Sequence, residues 1–423
     1  MLKHLILGNS VAGIAAAQEI RKHDPAGQIV IVGEEKLFGY SRAMLPLYIA
    51  GKRTKRELVF APAAFYKAHN IRLIRGDVAD AVDAGERRVR LASGKVLPYD
   101  RLLIATGSSS RLVEAPGMEL AGVYPLRKFA DAEAIKKALR SCTGPIAIIG
   151  GGLVGVKSLE ALTAKKCAVY LVISSNRILS QMLDRTASDF FLKTFERHGA
   201  QVHFQTDVTA FDGTDRLMGV SLSSGVRIPC ELAIIGKGVY PNITCVKDTG
   251  MALQQGIVVD ERMATTVPGI YAAGDVAEPL DVLHGRQMPS TIWPSATEGG
   301  RIAGLNMAGV AAKFSGAVRM NSVEILGVRV ISAGAFEGEQ QMTVLRQEVP
   351  LYRKLLYGDG RLLGFVVLGD VRCAGVLTSL VKNRTPVSPE VLARELDRGF
   401  SFRPRLRAVD GAIHTRELGG MGL

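Results

Sequence analysis

Leu5-Ile6-Leu7-Gly8-Asn9-Ser10-Val11-Ala12-Gly13-Ile14-Ala15-Ala16-Ala17 is the stretch that decides the fold, and Ile146-Ala147-Ile148-Ile149-Gly150-Gly151-Gly152-Leu153-Val154-Gly155-Val156 repeats its pattern about 140 residues on. Each begins with an apolar run short enough for a parallel strand buried on both faces. A glycine turn follows, then a helical run with small residues near its start. A second apolar run closes each unit, Ile29 to Val32 and Ala168 to Val172. These are two βαβ units. The turn brings backbone N–H groups and the positive end of a helix against a pyrophosphate. One such turn is weak support for a dinucleotide site; two in βαβ context are much stronger.

Working outward, Ser10 stands where the first motif has its middle glycine, and its small side chain still permits close approach. A ribose-binding acid is expected about twenty residues later, at the end of the next strand. Glu34 and Glu35 arrive there, with Glu35 preferred by register. The second unit has no acid at that place. Ser174, Ser175 and Arg177 follow instead, which leans toward NADPH or indifference between the two nucleotides. Two further strand ends, Tyr99 to Ser108 with Ala105-Thr106-Gly107, and Thr265 to Val276 with Gly274-Asp275, lead back to the first unit. At Asp275 a carboxylate is placed to accept from a flavin ribityl hydroxyl.

Between the units, Arg87 to Asp100 alternates apolar and polar residues around Ser93-Gly94 and predicts a hairpin. The 423 residues exceed what one core supports. The predicted class is α/β: two Rossmann-like domains plus a C-terminal α+β domain. The predicted boundaries are 1–112 with 246–318, 113–245, and 319–423, the last with a strand at Gly364 to Leu368 and a helix near Val376 to Lys382.

The five cysteines show no C-x-x-C pair and no zinc spacing, so no metal site is expected and free thiols in a reducing, cytoplasmic setting are. No separate signal-type apolar region and no run of about 18 apolar residues is present, so no membrane span is expected. The net charge of +13 is scattered, and its densest cluster, Lys52 to Arg56, lacks interleaved aromatics, which argues against nucleic acid. A solvated basic surface or an acidic electron-transfer partner remains.

On Gly8 to Gly13, Tyr40-Ser41-Arg42-Ala43-Met44-Leu45-Pro46, and Trp293-Pro294-Ser295-Ala296-Thr297-Glu298-Gly299-Gly300, the chain resembles the FAD-dependent pyridine nucleotide–disulfide oxidoreductases across essentially its whole length. Within that superfamily it is similar to the branch of rubredoxin reductases, NADH oxidases, coenzyme A disulfide reductases and nitrite reductase flavin regions. The resemblance implies FAD at Gly8, Ser10, Val11, Ala12, Gly13, Glu34, Glu35, Arg42, Val78, Ala105, Thr106, Gly107, Gly274, Asp275, Trp293 and Pro294. It implies NAD(P)H at Gly150, Gly152, Leu153, Val154, Gly155, Ser174, Arg177 and Gly238. It also implies a positive helix end, starting at Trp293, beside the flavin pyrimidine edge.

Two departures matter. Ala43 stands where thiol-using relatives carry a redox cysteine, which removes sulfenic and mixed-disulfide chemistry. Lys157 stands where many relatives carry a glutamate near the nicotinamide, and is the one candidate catalytic side chain. The expected function is NAD(P)H oxidation through FAD to a separate carrier: a rubredoxin, a ferredoxin or an iron–sulfur subunit. Two alternatives stand beside it: a thiol-free oxidase, and a flavin subunit that no longer uses NAD(P)H. A homodimer formed through the C-terminal domain is expected by analogy.

Overall fold

The computed structural model describes residues 1–163, 167–335, 340–346 and 351–397. Its first sheet is five-stranded and parallel. Lys3–Leu7 lies at the centre, flanked by Gln28–Gly33 and Ile71–Arg75 on one side and by Arg101–Ile104 and Ile270–Ala272 on the other. The second sheet repeats the plan. Ile146–Ile149 is central, with Val169–Val172 and Ala200–His203 to one side and Leu232–Ile235 and Val123–Pro125 to the other. Both central strands are buried on both faces, the first from His4 and the second along its whole length, as their unbroken apolar runs predict.

The first glycine-turn helix spans Val11–His23 and the second spans Leu153–Leu162. A third helix, Trp293–Met307, lies against the first at close range. Small residues make this possible: a Cβ on Gly300 would sit 2.2 Å from the Ala12 carbonyl oxygen, and one on Gly304 would sit 2.5 Å from that of Ala16. The hairpin forms as predicted, Arg88–Leu91 against Val96–Pro98.

Two antiparallel strands, Ser108–Ser110 and Val239–Pro241, lie side by side where the chain leaves the first unit and returns to it. Beyond residue 319 comes a five-stranded antiparallel sheet that includes Arg361–Leu368, and helix Ala374–Lys382 packs on it. Its Ile325, Val330, Tyr352, Val366 and Leu368 join one apolar core with the second sheet's unit. The end of the predicted C-terminal domain, 398–423, lies outside the described residues. No helix among the described residues is long and apolar enough to cross a membrane.

Candidate functional site

The carboxyl ends of the two parallel sheets each carry a glycine turn, the place where an open α/β sheet takes its ligand. In the first, Gly8 has φ +134°, and its N–H donates to Val32 O at 2.8 Å. A Cβ there would come within 1.9 Å of the Ala105 carbonyl oxygen. Gly150 plays the same part in the second turn: φ is +118°, and a Cβ would meet Gly236 O at 2.4 Å. Gly8 and Gly150 are therefore required by close backbone approach.

Helix ends supply the electrostatics. Ser10, Gly152 and Ile292 occupy the N-cap positions of the three helices above; none makes a side-chain cap, and none of the three first turns holds an acid. Two other helices are capped: Asp184 accepts from Ala187 N at 3.1 Å, and Thr54 forms a box with Glu57. Three uncapped N-termini thus keep their first-turn N–H groups for an oxyanion. Space is left open there as well, since a Cβ on Gly152, Gly107 or Gly238 would meet nothing within 4 Å. Leu153 and Val154, first in the second glycine-turn helix, are exposed apolar side chains on that open face. Val11 and Ala12 begin the first helix, with Ala12 buried beneath Gly300. The turns, uncapped helix ends and open space fit two dinucleotides.

Around the first turn the structure gathers Ser10, Glu35, Tyr40 and Arg42. Arg42 donates to Ser10 Oγ at 3.2 Å and to Glu35 Oε1 at 2.8 Å. Glu35 also accepts from Tyr40 OH at 2.9 Å and from Phe129 N–H at 3.0 Å, so both of its oxygens are engaged. Glu35, the acid preferred by register, is thus tied to Arg42, Tyr40 and Phe129 within the protein. Glu34, half exposed, accepts from Lys128 Nζ at 2.6 Å. Register alone does not distinguish the two, because the deciding partners lie 94 residues away.

Asn242 clamps the Ala105-Thr106-Gly107 turn: Thr106 Oγ1 donates to its carbonyl at 2.8 Å, and its Nδ2 donates to Thr106 O at 3.0 Å. Asp275, after Gly274 at φ +80°, has Oδ2 held by Ser108 Oγ and Arg127 Nη2, each at 2.7 Å. Arg127 is a site residue that sequence reasoning missed. It sits 148 residues from Asp275, and nothing local marks it. Val78 is exposed, and its N–H and C=O are engaged by Asp77 Oδ1 and Ala92 N. Trp293 is 41% exposed and edge-on to Phe60, with ring centroids 5.3 Å apart; Pro294 follows in the first turn.

Two of the candidate side chains around the second turn, Arg177 and Lys157, are committed elsewhere. Arg177 donates to Leu183 O, Ser180 O and Asn176 Oδ1 within its own loop. Ser174 is exposed. Lys157, the candidate catalytic residue, pairs with Glu160 and donates to Glu324 O at 2.8 Å, while Glu160 accepts Leu326 N–H at 3.1 Å. It bridges the second glycine-turn helix to the third sheet.

Ala43 is exposed on the 3-10 turn Arg42–Met44. Burial raises the thiols of Cys142, Cys230, Cys245 and Cys373, Cys230 to about 12 and Cys245 to about 11. Those four offer no thiolate near neutral pH. No group of three or more metal-ligating side chains occurs among the described residues.

The NADH-dependent phenylglyoxylate dehydrogenase subunit epsilon of Aromatoleum evansii is 28% identical over 92% of this chain and 93% of its own length. The assimilatory nitrate reductase electron transfer subunit of Bacillus subtilis (strain 168) is 28% identical over 90% of this chain, which spans about half (49%) of that longer protein. The crystal structure of a ferredoxin reductase from Rhodopseudomonas palustris superimposes with a TM-score of 0.88 at 25% identity, covering 95% of this chain and 100% of that one. The model of the pyridine nucleotide-disulphide oxidoreductases matches residues 2–300, and with both glycine turns inside that span the chain belongs to this family.

Proposed function

We infer that the protein is an FAD-dependent NAD(P)H oxidoreductase that passes electrons to a separate carrier: a ferredoxin, a rubredoxin or an iron–sulfur subunit. One observation carries the reading. Two glycine turns with uncapped, acid-free helix ends stand on two parallel sheets that share the order of four strands, and no thiol occupies position 43. Likeness to a ferredoxin reductase and to two subunits of larger redox enzymes supports the carrier as destination. Bound in the first cradle, FAD would supply the redox chemistry, accepting a hydride equivalent and releasing its electrons.

The chain's residues bind and align. Helix ends Val11 and Trp293 turn positive charge toward the first cradle. Asp275 presents Oδ1 to a ribityl hydroxyl, with Oδ2 fixed by Ser108 and Arg127. Glu34 is assigned to the adenosine ribose, while Glu35 orients Arg42 over Ser10. At the second turn a 2′-phosphate would meet the Ser174 hydroxyl but a guanidinium already spent on its own loop, so NADH serves at least as well as NADPH. Lys157 acts as a tether. Buried free thiols support a cytoplasmic setting, and the third sheet is the proposed homodimer surface.

Steady-state assays separate this reading from an oxidase. With NADH and excess carrier, carrier reduction should exceed oxygen consumption by at least about tenfold, the margin that a preferred acceptor commands over a bystander. Oxygen uptake at the same rate with and without carrier would make the protein an oxidase instead.

A further inference from the structure

The sequence's densest basic cluster lies on a surface that the site does not use. Lys52, Arg53, Lys55 and Arg56 are all exposed, on the segment around the short helix Lys55–Leu58. The fold sets this segment against helix Phe129–Ser141 from the other sheet's unit. Lys55 Nζ lies 4.7 Å from the Phe129 ring centroid, Lys136 Nζ lies 4.0 Å from that of Tyr48, and the two rings are 5.0 Å apart. Arg140, exposed on the same helix, acts electrostatically on Tyr48. Cations distant in sequence thus form one face. Of the acids nearby, Glu57 is engaged by Arg53 and Thr54, and Glu133 is exposed on the same helix among these cations. The same chain segment continues to Phe60, which with Trp293 forms an exposed aromatic pair at the start of the helix aimed into the first cradle.

We propose that this face, Lys52 to Arg56 with Lys136 and Arg140, is the docking surface for an acidic electron-carrier protein, and that Phe60 and Trp293 form its apolar centre. The inference rests on the reductase reading above. Complementary charge raises the encounter rate of such partners, and exposed aromatics ringed by polar groups supply the short-range contact. Placement beside the Trp293 helix brings the carrier to the cradle from which electrons leave. The face also gives the scattered +13 charge a local purpose.

The test uses the FAD-loaded protein, NADH and a plant-type [2Fe–2S] ferredoxin as the acidic probe. Lys52→Glu with Arg56→Glu reverses two exposed cations of this face. Lys193→Glu with Arg197→Glu, exposed on a different helix, Arg185–Arg197, makes the same change in net charge outside this face. At low salt the first pair should raise KM for ferredoxin about tenfold and flatten its salt dependence, and the second should change KM less than about twofold. Anaerobic flavin bleaching by NADH should be unchanged in both. Equal effects of the two pairs, no effect of either, or a wild type that bleaches with NADH yet reduces no ferredoxin would overturn the inference. So would loss of binding to duplex DNA or anionic vesicles with KM intact, which would assign the face to a polyanion. Absence of bleaching in the wild type would bring down the reductase reading itself, and the inference with it.

Discussion

A methyl group at Gly8 would have to share space with the Ala105 carbonyl, and one at Gly150 with that of Gly236, both at positive φ. Neither neighbour is a flexible side chain, so the turn itself must shift. Gly8→Ala should therefore purify with less than about a tenth of the flavin of the wild type. Gly150→Ala should keep its flavin but lose about tenfold in its rate of reduction by NADH, which absorbance spectra and stopped flow will separate.

His4 gives a second residue-scale prediction. Burial holds its imidazole below the ordinary value, against the pull of Asp24, 2.8 Å away. The folded chain prefers the neutral ring, whereas the unfolded chain takes up a proton near pH 6.5. Stability therefore falls as pH drops from about 6.5 through the lower folded value. Asp24, held low first by the His4 hydrogen bond, loses its own contribution only at more acid pH. Melting temperature should decline more steeply between pH 7 and pH 5 in the wild type than in His4→Gln.

At the scale of elements, the crossing of Val11–His23 with Trp293–Met307 fixes two helix N-termini beside one cradle. Gly304→Val would press side-chain carbon onto the Ala16 carbonyl, at a cost of about 1–3 kcal/mol, the range for overpacking. Thermal unfolding should show that loss, with weaker flavin retention. These elements were legible in the sequence because apolar runs, glycine turns and Pro294 are local signals. The hairpin around Ser93-Gly94 was legible for the same reason. Much of the site chemistry was not. The engagement of Glu35 by Phe129, of Asp275 by Arg127, and the spending of Arg177 on its own loop depend on contacts that only the folded chain creates. Sequence spacing places an acid near a ribose; it does not reveal that its oxygens are already taken.

Across the whole molecule, Lys157 and Glu160 join the second glycine-turn helix to the turn at Glu324–Leu326. Leu326 has φ +48°, a costly conformation for a bulky residue, and Glu160 accepts its N–H. Glu160→Gln should destabilise the protein by about 1–3 kcal/mol, the cost of weakening such a bond. Lys157→Met should change the rate of flavin reduction by less than about threefold, since the side chain works as a tether. A loss of about a hundredfold, the scale for removing an acid or base from a reaction, would restore Lys157 as a catalytic group.

The central claim is that two dinucleotide sites in one chain are coupled through hydride transfer. Its most direct test is anaerobic titration of the FAD-loaded protein with NADH and, separately, NADPH, following flavin absorbance. Stoichiometric bleaching by NADH, at least as fast as by NADPH, is the predicted result. A flavin spectrum unmoved by either nucleotide would contradict it, leaving the second glycine turn as a scaffold.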